Sequence, residues 1–188
     1  NPISDLKKKK VDILVNLSAS PYTFKKLELR SKVSSFAAKY LQVPLIYVNQ
    51  IGANDNLIFD GNSFILDKNG SKIKQLKSFS EDLSSWHIEQ TIPEKKEFEQ
   101  SEISSIFDAL VLGVRDYAQK CGFKTALIGL SGGIDSALVS AIATAALGSN
   151  NIYCVSMPSK WSSSHSKSDA KDLARRLKIN FNSIPIEN

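Results

Sequence analysis

The segment Ala126–Gly148, ALIGLSGGIDSALVSAIATAALG, decides the fold of the second half of the chain. Its first five residues are apolar apart from one glycine and predict a strand, Ala126–Leu130, while the apolar spacing over Asp135–Leu147 predicts a helix. Between them, Gly132 and Gly133 have no Cβ atom and can adopt backbone angles that are closed to other residues. The segment therefore predicts a strand, a tight loop with exposed amides, and a helix.

The loop Ser131–Ser136 has the composition of a phosphate-binding site. The first N–H groups of a helix have no intrahelical partner and carry the positive end of the macrodipole, so an anion is favoured there. A Walker loop would need Gly-Lys-Ser/Thr and a dinucleotide loop would need G-x-G-x-x-G, and neither is present. The carboxylate of Asp135 would repel phosphates unless a cation lay between them, which makes it a candidate Mg²⁺ ligand. Alternatively, Asp135 caps the helix and the glycines only form a tight turn.

The rest of the second half alternates between helical and extended patterns. A helix that starts near Ile103 is expected to end at Gly122. Strands are predicted over 152–157 and 181–186, and a helix over about 169–177. This βαβαβ order predicts a parallel sheet with right-handed crossovers. The serine-rich stretch SSSHSKSD is expected to be a polar loop with an N-cap at Ser168 or a loop that binds ligand, and both can hold together.

The first half predicts a separate α/β unit. A buried strand is expected over Val11–Leu17, an amphipathic helix from about Lys25 to Gln42, and a second buried strand over PLIYVNQIG, residues 44–52. Asn69-Gly70 predicts a hairpin turn with positive φ, and DLSSWHIE, residues 82–89, predicts a last strand.

Composition divides the chain and narrows its class. Apolar periodicity disappears in the segment 91–101, which predicts a linker between a domain over 1–90 and a domain over 102–188. The chain is 42% hydrophobic and 23% charged, as expected of a globular protein. Its net charge is +5, but the lysines are scattered apart from Lys7–Lys10, so we expect no nucleic-acid partner.

No apolar run reaches the roughly 20 residues that span a bilayer, and the first residues lack the core of a signal peptide. We therefore expect a cytoplasmic protein without a membrane partner, in which Cys121 and Cys154 are reduced thiols. The chain begins with Asn rather than Met and stops where a strand has just formed, so we expect a fragment of a longer protein.

The glycine loop resembles a known family. Ser131-Gly132-Gly133-Ile134-Asp135-Ser136 matches the SGGxDS loop of the ATP pyrophosphatase (PP-loop) family, whose members cleave ATP between the α and β phosphates. The SMPS strand end and the serine-rich loop that runs into SDA resemble the NAD synthetase subgroup, apart from Lys160-Trp161 where many members have Arg-Tyr. The resemblance implies a Rossmann-like domain that binds ATP and Mg²⁺. It implies ATP or pyrophosphate contacts at Gly129, Leu130, Ser131, Gly132, Gly133, Ile134, Asp135, Ser136 and Met157, with Asp135 as the metal ligand.

The first half resembles the C-terminal part of a nitrilase-like amidase domain, an α-β-β-α sandwich. The similarity covers about Val11–Glu89. In that family a Cys, a Glu and a Lys hydrolyse the amide, and none of the three is found here in a matching context, so we expect no catalytic amidase residue in this chain. The family's S-P-x-x-x-x-K/R segment implies glutamine contacts at Ser20 and Lys26.

Several other polar residues receive structural roles. Asn49, Gln50, Asp60 and Asn62 are expected to anchor strand ends. His87 in the predicted last strand and His165 in the serine-rich loop are expected to be structural, although His165 could reach a phosphate.

Together the two resemblances imply a glutamine-dependent NAD synthetase. Such an enzyme would adenylate deamido-NAD with ATP and Mg²⁺, and ammonia from glutamine would displace AMP. A homo-oligomer is expected for the intact protein, and the fragment alone is expected to be inactive. Two alternatives stay open: another PP-loop amidotransferase such as a GMP synthetase, and a nucleotide-binding module without catalysis.

Overall fold

The computed structural model describes residues 2–89 and 101–186. Packing divides the chain into two units, Asn1–Ala109 and Leu110–Asn188, which are described separately below as unit 1 and unit 2. The predicted linker over 91–101 lies outside the described residues apart from its last residue.

Unit 1 is built on a mixed sheet and a separate hairpin. Its described elements are α1 (Pro2–Lys8), β1 (Leu14–Ser18), α2 (Lys26–Leu41), β2 (Leu45–Asn49), β3 (Ile51–Asn54), β4 (Leu57–Asp60), β5 (Phe64–Leu66), β6 (Lys72–Gln75) and the start of α3 (Glu102–Cys121). The four-stranded sheet has the order β1-β2-β5-β6, in which β1 and β2 are parallel and the other neighbours are antiparallel. Strands β3 and β4 form an antiparallel pair.

The parallel pairing of β1 with β2 requires a crossover, and α2 supplies it. The core between α2 and the sheet contains Ala37, Ala38, Leu45, Tyr47, Phe64 and Leu66. Small residues on α2 let the helix lie close to the stacked rings of Tyr47 and Phe64, whose centroids are 4.9 Å apart.

The helix predicted over Lys25–Gln42 is confirmed, and two of its apolar residues, Ala37 and Leu41, are buried. Leu29, Val33 and Phe36 are 59%, 61% and 68% exposed, whereas Arg30 and Ser34 are buried. Arg30 is buried because an acidic partner lies opposite it, a long-range pairing that hydrophobic spacing does not register.

The strand predictions of unit 1 are confirmed in part. The prediction over 82–89 was wrong: this segment forms no strand, and the Asp82 carboxylate instead accepts a hydrogen bond from the Lys77 amide. The run over 44–52 breaks at Gln50, whose N–H donates to Ser18 and whose carbonyl accepts from Gly61. Strand β1 is also more exposed than expected, at Val15 and Leu17.

The predicted hairpin forms between β5 and β6. Its turn has positive φ at Gly70, while Asn69 is not among the positive-φ residues. The Asp67 side chain closes the turn by accepting from the Asn69 and Ser71 amides. The sequence did not predict the second hairpin, between β3 and β4, which turns at Asp55 with φ of 51°.

Unit 2 confirms the predicted parallel sheet. Its described elements are the rest of α3, β7 (Ala126–Gly129), α4 (Ile134–Leu147), a 3-10 turn (Ser149–Asn151), β8 (Ile152–Ser156), α5 (Ser164–Leu177) and β9 (Asn180–Ser183). The strands follow the order β7-β8-β9, and both pairings are parallel. The core of the unit includes Leu130, Ile152, Cys154, Ala170 and Ala174.

Helix α4 turns its polar side chains back onto its own backbone. The Ser140 hydroxyl donates to the Ser136 carbonyl at 2.8 Å, and the Thr144 hydroxyl donates to the Ser140 carbonyl at 2.6 Å. Ser140 is fully buried, and its Oγ also lies 3.7 Å from Cys154 Sγ on β8. This column of small side chains allows α4 to pack closely against the sheet.

The largest differences from the predicted boundaries in unit 2 are at α5 and β9. Helix α5 begins at Ser164 rather than near 169, because Ser163 and not Ser168 is the N-cap: its Oγ accepts from the Ser166 amide at 3.0 Å. Strand β9 covers Asn180–Ser183 instead of 181–186. The helix that ends at Gly122 is confirmed as α3, and Gly122 has φ of +74°. Across residues 2–89 and 101–186, no helix combines the length and the apolar character that crossing a membrane requires.

Candidate functional site

The predicted glycine loop lies at the carboxyl edge of the parallel sheet of unit 2. Strand β7 ends at Gly129, and the buried Leu130 continues the pairing by donating its N–H to the Val155 carbonyl at 2.9 Å. The loop then turns through Gly132, which has φ of +87°, into Gly133, the extended N-cap of α4. Ligands bind at this edge in open parallel sheets.

The start of α4 exposes free backbone donors. The first helical hydrogen bond runs from the Ala137 amide to the Gly133 carbonyl, so the amides of Ile134, Asp135 and Ser136 donate to no acceptor within the described residues. The Gly133 amide differs from them because it donates to Ser131 Oγ at 3.2 Å. The loop therefore presents a short run of unpaired N–H groups at the positive end of a helix dipole.

The two serines of the loop bond to each other and set its shape. Ser131 Oγ and Ser136 Oγ are 3.1 Å apart, and the Ser136 hydroxyl also donates to the Gly133 carbonyl at 3.0 Å. The Ser131 amide donates to Ser136 Oγ at 3.3 Å. These bonds connect the two ends of the loop, and none of them uses the amides of Ile134, Asp135 and Ser136.

Gly132 lets the serine-rich segment approach the loop. A Cβ atom at Gly132 would lie 2.2 Å from the Ser166 carbonyl oxygen, a distance that only a missing side chain allows. Ser166 belongs to the first turn of α5, which Ser163 caps. The beginning of α5 therefore lies against the glycine loop, and most of the segment predicted to be a loop is helical.

Asp135 occupies the first turn of α4 and is exposed. The N-cap of this helix is Gly133, so the alternative in which Asp135 caps α4 is not what the structure has. Within the part of the chain that the structure describes, no hydrogen bond or ion pair engages the Asp135 carboxylate. The described residues also contain no group of three or more His, Cys, Asp or Glu side chains that could hold a metal. A single free carboxylate fits Mg²⁺, which commonly takes one or two protein oxygens together with phosphate oxygens and water.

Met157 is the one predicted contact that lies outside the segment Gly129–Ser136. It follows β8 directly, and its Cε would be 3.7 Å from a Cβ atom placed on Gly129, which is ordinary van der Waals contact. Because β7 and β8 are parallel neighbours, Gly129–Ser136 and Met157 come together at one edge. Met157 is half exposed there and offers an apolar surface beside the loop.

In unit 1, Ser20 lies in a network of polar contacts. Its amide donates to Asn49 Oδ1 at 2.9 Å, and its Oγ accepts from Arg30 Nε at 3.1 Å. Arg30 in turn forms a buried ion pair with Asp60, whose carboxylate also accepts from Asn62 Nδ2 at 2.9 Å. Asn49, Asp60 and Asn62 are thus the structural anchors that the sequence predicted, whereas the sequence did not indicate Arg30.

Lys26 opens α2 and lines a cavity of about 180 Å³ together with Asp60 and Asn62. Ser20 is not among the residues that line this cavity in the described chain. The structure therefore places Ser20 and Lys26 on one short segment of unit 1 without bringing both into the same cavity.

The remaining reactive side chains are peripheral to both sites. Burial raises the pKa of the Cys154 thiol, and the hydrogen bond with Ser140 opposes that shift. Cys121 is exposed at the end of α3, and both cysteines are free. His165 lies exposed in the first turn of α5, and His87 is exposed in the segment predicted to be a strand.

Comparison with solved structures agrees with this arrangement. A glutamine-dependent NAD⁺ synthetase from Acinetobacter baumannii in complex with ADP superposes with a TM-score of 0.88 at 36% identity, covering 98% of this chain and 36% of that one. A glutamine-dependent NAD(+) synthetase from Cytophaga hutchinsonii has the same fold, with a TM-score of 0.84 at 19% identity.

Curated relatives match along nearly the whole chain. The glutamine-dependent NAD(+) synthetase of Synechocystis sp. is 48% identical over 99% of these residues, and that of Rhodobacter capsulatus is 40% identical over 94%. The chain spans about a third of the length of these relatives. The resemblance drawn from the glycine loop and the SMPS strand end is confirmed.

The fold and the glycine loop define a two-unit α/β protein whose second unit is a parallel sheet with its loop at the carboxyl edge. The chain belongs to the carbon-nitrogen hydrolase family through residues 1–96, and residues 106–188 match the NAD synthase family. The predicted fold class, a nitrilase-like part followed by a Rossmann-like parallel sheet, is confirmed.

Proposed function

We propose that the chain is part of an enzyme that converts deamido-NAD to NAD with ATP and with ammonia taken from glutamine. The observation that carries this proposal is the union, in one chain, of a carbon-nitrogen hydrolase segment and an NAD synthase segment. Glutamine-dependent NAD(+) synthetases match across both segments. A GMP synthetase or a binding module without catalysis is not favoured by these relatives.

In the proposed reaction a carboxylate oxygen of deamido-NAD attacks the α-phosphorus of ATP, and pyrophosphate leaves. The free amides of Ile134, Asp135 and Ser136 would donate hydrogen bonds to the departing pyrophosphate oxygens. Ammonia would then attack the acyl carbon, lose a proton and expel AMP. The contribution of the loop is electrostatic because its donors are fixed before charge develops.

The other predicted contacts surround this loop. Gly129, Leu130 and Met157 would seat the adenosine, with the thioether of Met157 against the base. Asp135 would hold Mg²⁺, which when bound neutralises charge on the phosphate oxygens. The exposed carboxylate without a described partner supports this role.

The first half would bind glutamine. Ser20 and Lys26 would contact its amino-acid end, and the chain would supply no member of the amidase Cys-Glu-Lys set. In this proposal the glutaminase part covers residues 1–90, a linker covers 91–101, and the synthetase part covers 102–188.

We also infer a homo-oligomer for the intact protein. The apolar side chains that α2 exposes in this chain, Leu29, Val33 and Phe36, define the surface to be tested in the intact protein. Sedimentation of a Val33→Glu variant should show smaller particles than the Lys32→Glu control on the neighbouring face. An unchanged sedimentation coefficient in Val33→Glu would contradict the inference.

The cytoplasmic location stays a prediction, and imaging of the tagged protein would test it.

The function is tested on the full-length protein with deamido-NAD, ATP and either glutamine or ammonium. Chromatography should show one AMP and one pyrophosphate for each NAD from both nitrogen donors. Formation of ADP in place of AMP, retention of ATP without turnover, or amidation of xanthosine monophosphate instead of deamido-NAD would each contradict the proposal.

A further inference from the structure

Arg30 and Asp60 form a buried ion pair on unit 1. Arg30 Nη1 donates to both carboxylate oxygens of Asp60, at 2.7 and 2.9 Å, and the two side chains are 5% and 2% exposed. A buried ion pair contributes little net stability because desolvation offsets the attraction between the charges. The other contacts of Arg30 therefore offer a better explanation for the pair than stability does.

Those donors reach one short segment of backbone and one hydroxyl. Arg30 Nη2 donates to the carbonyls of Ser20 and Pro21, at 2.7 and 3.0 Å, and Nε donates to Ser20 Oγ at 3.1 Å. Asn49 holds the same residue from the other side through the Ser20 amide and carbonyl, at 2.9 and 3.2 Å. Every backbone polar group of Ser20 is thus fixed by a side chain.

The bond from Nε to Oγ determines what the Ser20 hydroxyl can do. A guanidinium only donates hydrogen bonds, so it occupies a lone pair of Oγ and leaves the hydroxyl proton available. No acceptor for that proton lies among the described residues. Because Asp60 already balances the charge of Arg30, what the arrangement offers a ligand is this hydroxyl donor, and a carboxylate oxygen is a strong acceptor for it.

We propose that Arg30 is a positioning residue that makes the Ser20 hydroxyl a hydrogen-bond donor to the α-carboxylate of the amide substrate. The inference rests on the proposed function, in which Ser20 contacts glutamine. Arg30 itself does not touch the substrate. The pair with Asp60 keeps the guanidinium in one orientation, and Asn62 keeps the Asp60 carboxylate in place. The proton of the hydroxyl would thus go to the carboxylate of glutamine, since the α-ammonium group cannot accept a hydrogen bond.

A purely structural role for the ion pair would make a different prediction. A staple between α2 and the Ser20 segment needs only the backbone carbonyls, which Nη2 already contacts. The additional bond to Oγ matters only if the hydroxyl has a function. Removal of the hydroxyl should then change recognition of one chemical group on the substrate.

The test uses three amide substrates with the full-length protein, in the presence of ATP and deamido-NAD. Glutaramate keeps the carboxylate of glutamine and lacks the α-ammonium group, whereas 4-aminobutanamide keeps the ammonium group and lacks the carboxylate. Ammonia release is measured for wild type, Ser20→Ala, Arg30→Lys and the double variant. Rates are expressed relative to ammonium-driven NAD formation in the same preparation.

Ser20→Ala should raise KM for glutamine and glutaramate by the same factor, about tenfold to a hundredfold, because a hydrogen bond to a charged group is lost. KM for 4-aminobutanamide should not change, and kcat should change less than KM because the contact is remote from the reacting amide. Arg30→Lys should raise KM for glutamine in wild type and have no further effect in Ser20→Ala.

Equal losses on all three substrates, or additive effects of the two substitutions, would overturn the role of Arg30. If Arg30→Lys does not fold, Asn62→Ala replaces it, since this variant keeps the ion pair and removes the amide that holds the Asp60 carboxylate. A wild-type protein that releases no ammonia from glutamine would refute the proposed function together with this inference. Glutamine hydrolysis without the predicted substrate pattern would refute the inference alone.

Discussion

The glycine loop of unit 2 and the Ser20 network of unit 1 present polar groups in opposite ways. The loop offers backbone amides on an exposed turn of small residues, and its single charge, on Asp135, points to solvent. The Ser20 network buries two full charges, on Arg30 and Asp60, and orients one hydroxyl through them. The loop therefore depends on backbone geometry, whereas the Ser20 network depends on side chains from several elements.

The two regions also differ in how far apart along the chain the bonded residues lie. Every hydrogen bond within the loop joins residues at most five positions apart. The side-chain contacts of Ser20 itself join residues 10 to 29 positions apart, and the pair of Arg30 with Asp60 joins residues 30 positions apart. A local arrangement leaves a motif in the sequence, and a long-range arrangement does not.

The largest effect is expected from breaking the buried ion pair of Arg30 and Asp60. Asp60→Ala leaves Arg30 as an uncompensated buried charge, so we expect the free energy of unfolding to fall by about 3–5 kcal/mol. As a control, Glu28→Ala breaks the exposed pair with Lys32 on the same helix and should cost less than about 0.5 kcal/mol. Urea denaturation measures both values, and similar losses would show that burial does not distinguish the two pairs.

A second test removes the single charge of the loop. Asp135→Asn should leave stability unchanged, since no described group contacts the carboxylate, and should lower kcat for NAD formation about 100-fold. Asp12→Asn removes the same charge from an exposed position of unit 1 and serves as the control. Turnover titrated with Mg²⁺ is the measurement. Equal activity of the two variants would contradict a metal role for Asp135.

A third test compares two glycines of unit 2 that both have positive φ. Gly132→Ala would place a Cβ atom 2.2 Å from the Ser166 carbonyl, whereas at Gly122 no atom lies within 4 Å of the added Cβ. Both variants carry the backbone strain, about 1 kcal/mol, but only Gly132→Ala should lose a further 1–2 kcal/mol or so and bind ATP more weakly. Calorimetry gives both quantities, and identical losses would rule out the close approach of α5.

The smallest effect is expected at Cys154, in the middle of β8. Burial raises the pKa of this thiol, so the unfolded chain loses the proton first as the pH rises. Stability should hold below the ordinary thiol pKa and decline above it, and Cys154→Ala should remove part of that decline. Urea titrations at neutral and alkaline pH would show this. A steeper decline in the variant than in wild type would contradict the sign.

The parts of the fold that the sequence predicted are those with local causes. The strand, loop and helix around Gly132 follow from spacing within about 20 residues. The start of α5 was predicted too late because several serines in a row are equally good N-caps, and only the packed structure selects Ser163. The burial of Arg30 on α2 was not predicted because its partner, Asp60, lies 30 residues away in the chain.

The hydroxyls of Ser140 and Thr144 on α4 can be replaced at little cost. The Ser136 and Ser140 carbonyls that accept from Ser140 and Thr144 are within hydrogen-bonding reach of helical amides as well, so losing a hydroxyl strands no buried acceptor. Ser140→Ala and Thr144→Val should therefore each change the free energy of unfolding only slightly. The middle of α4 can therefore accept small side chains of different polarity, whereas the turn at its start depends on Gly132.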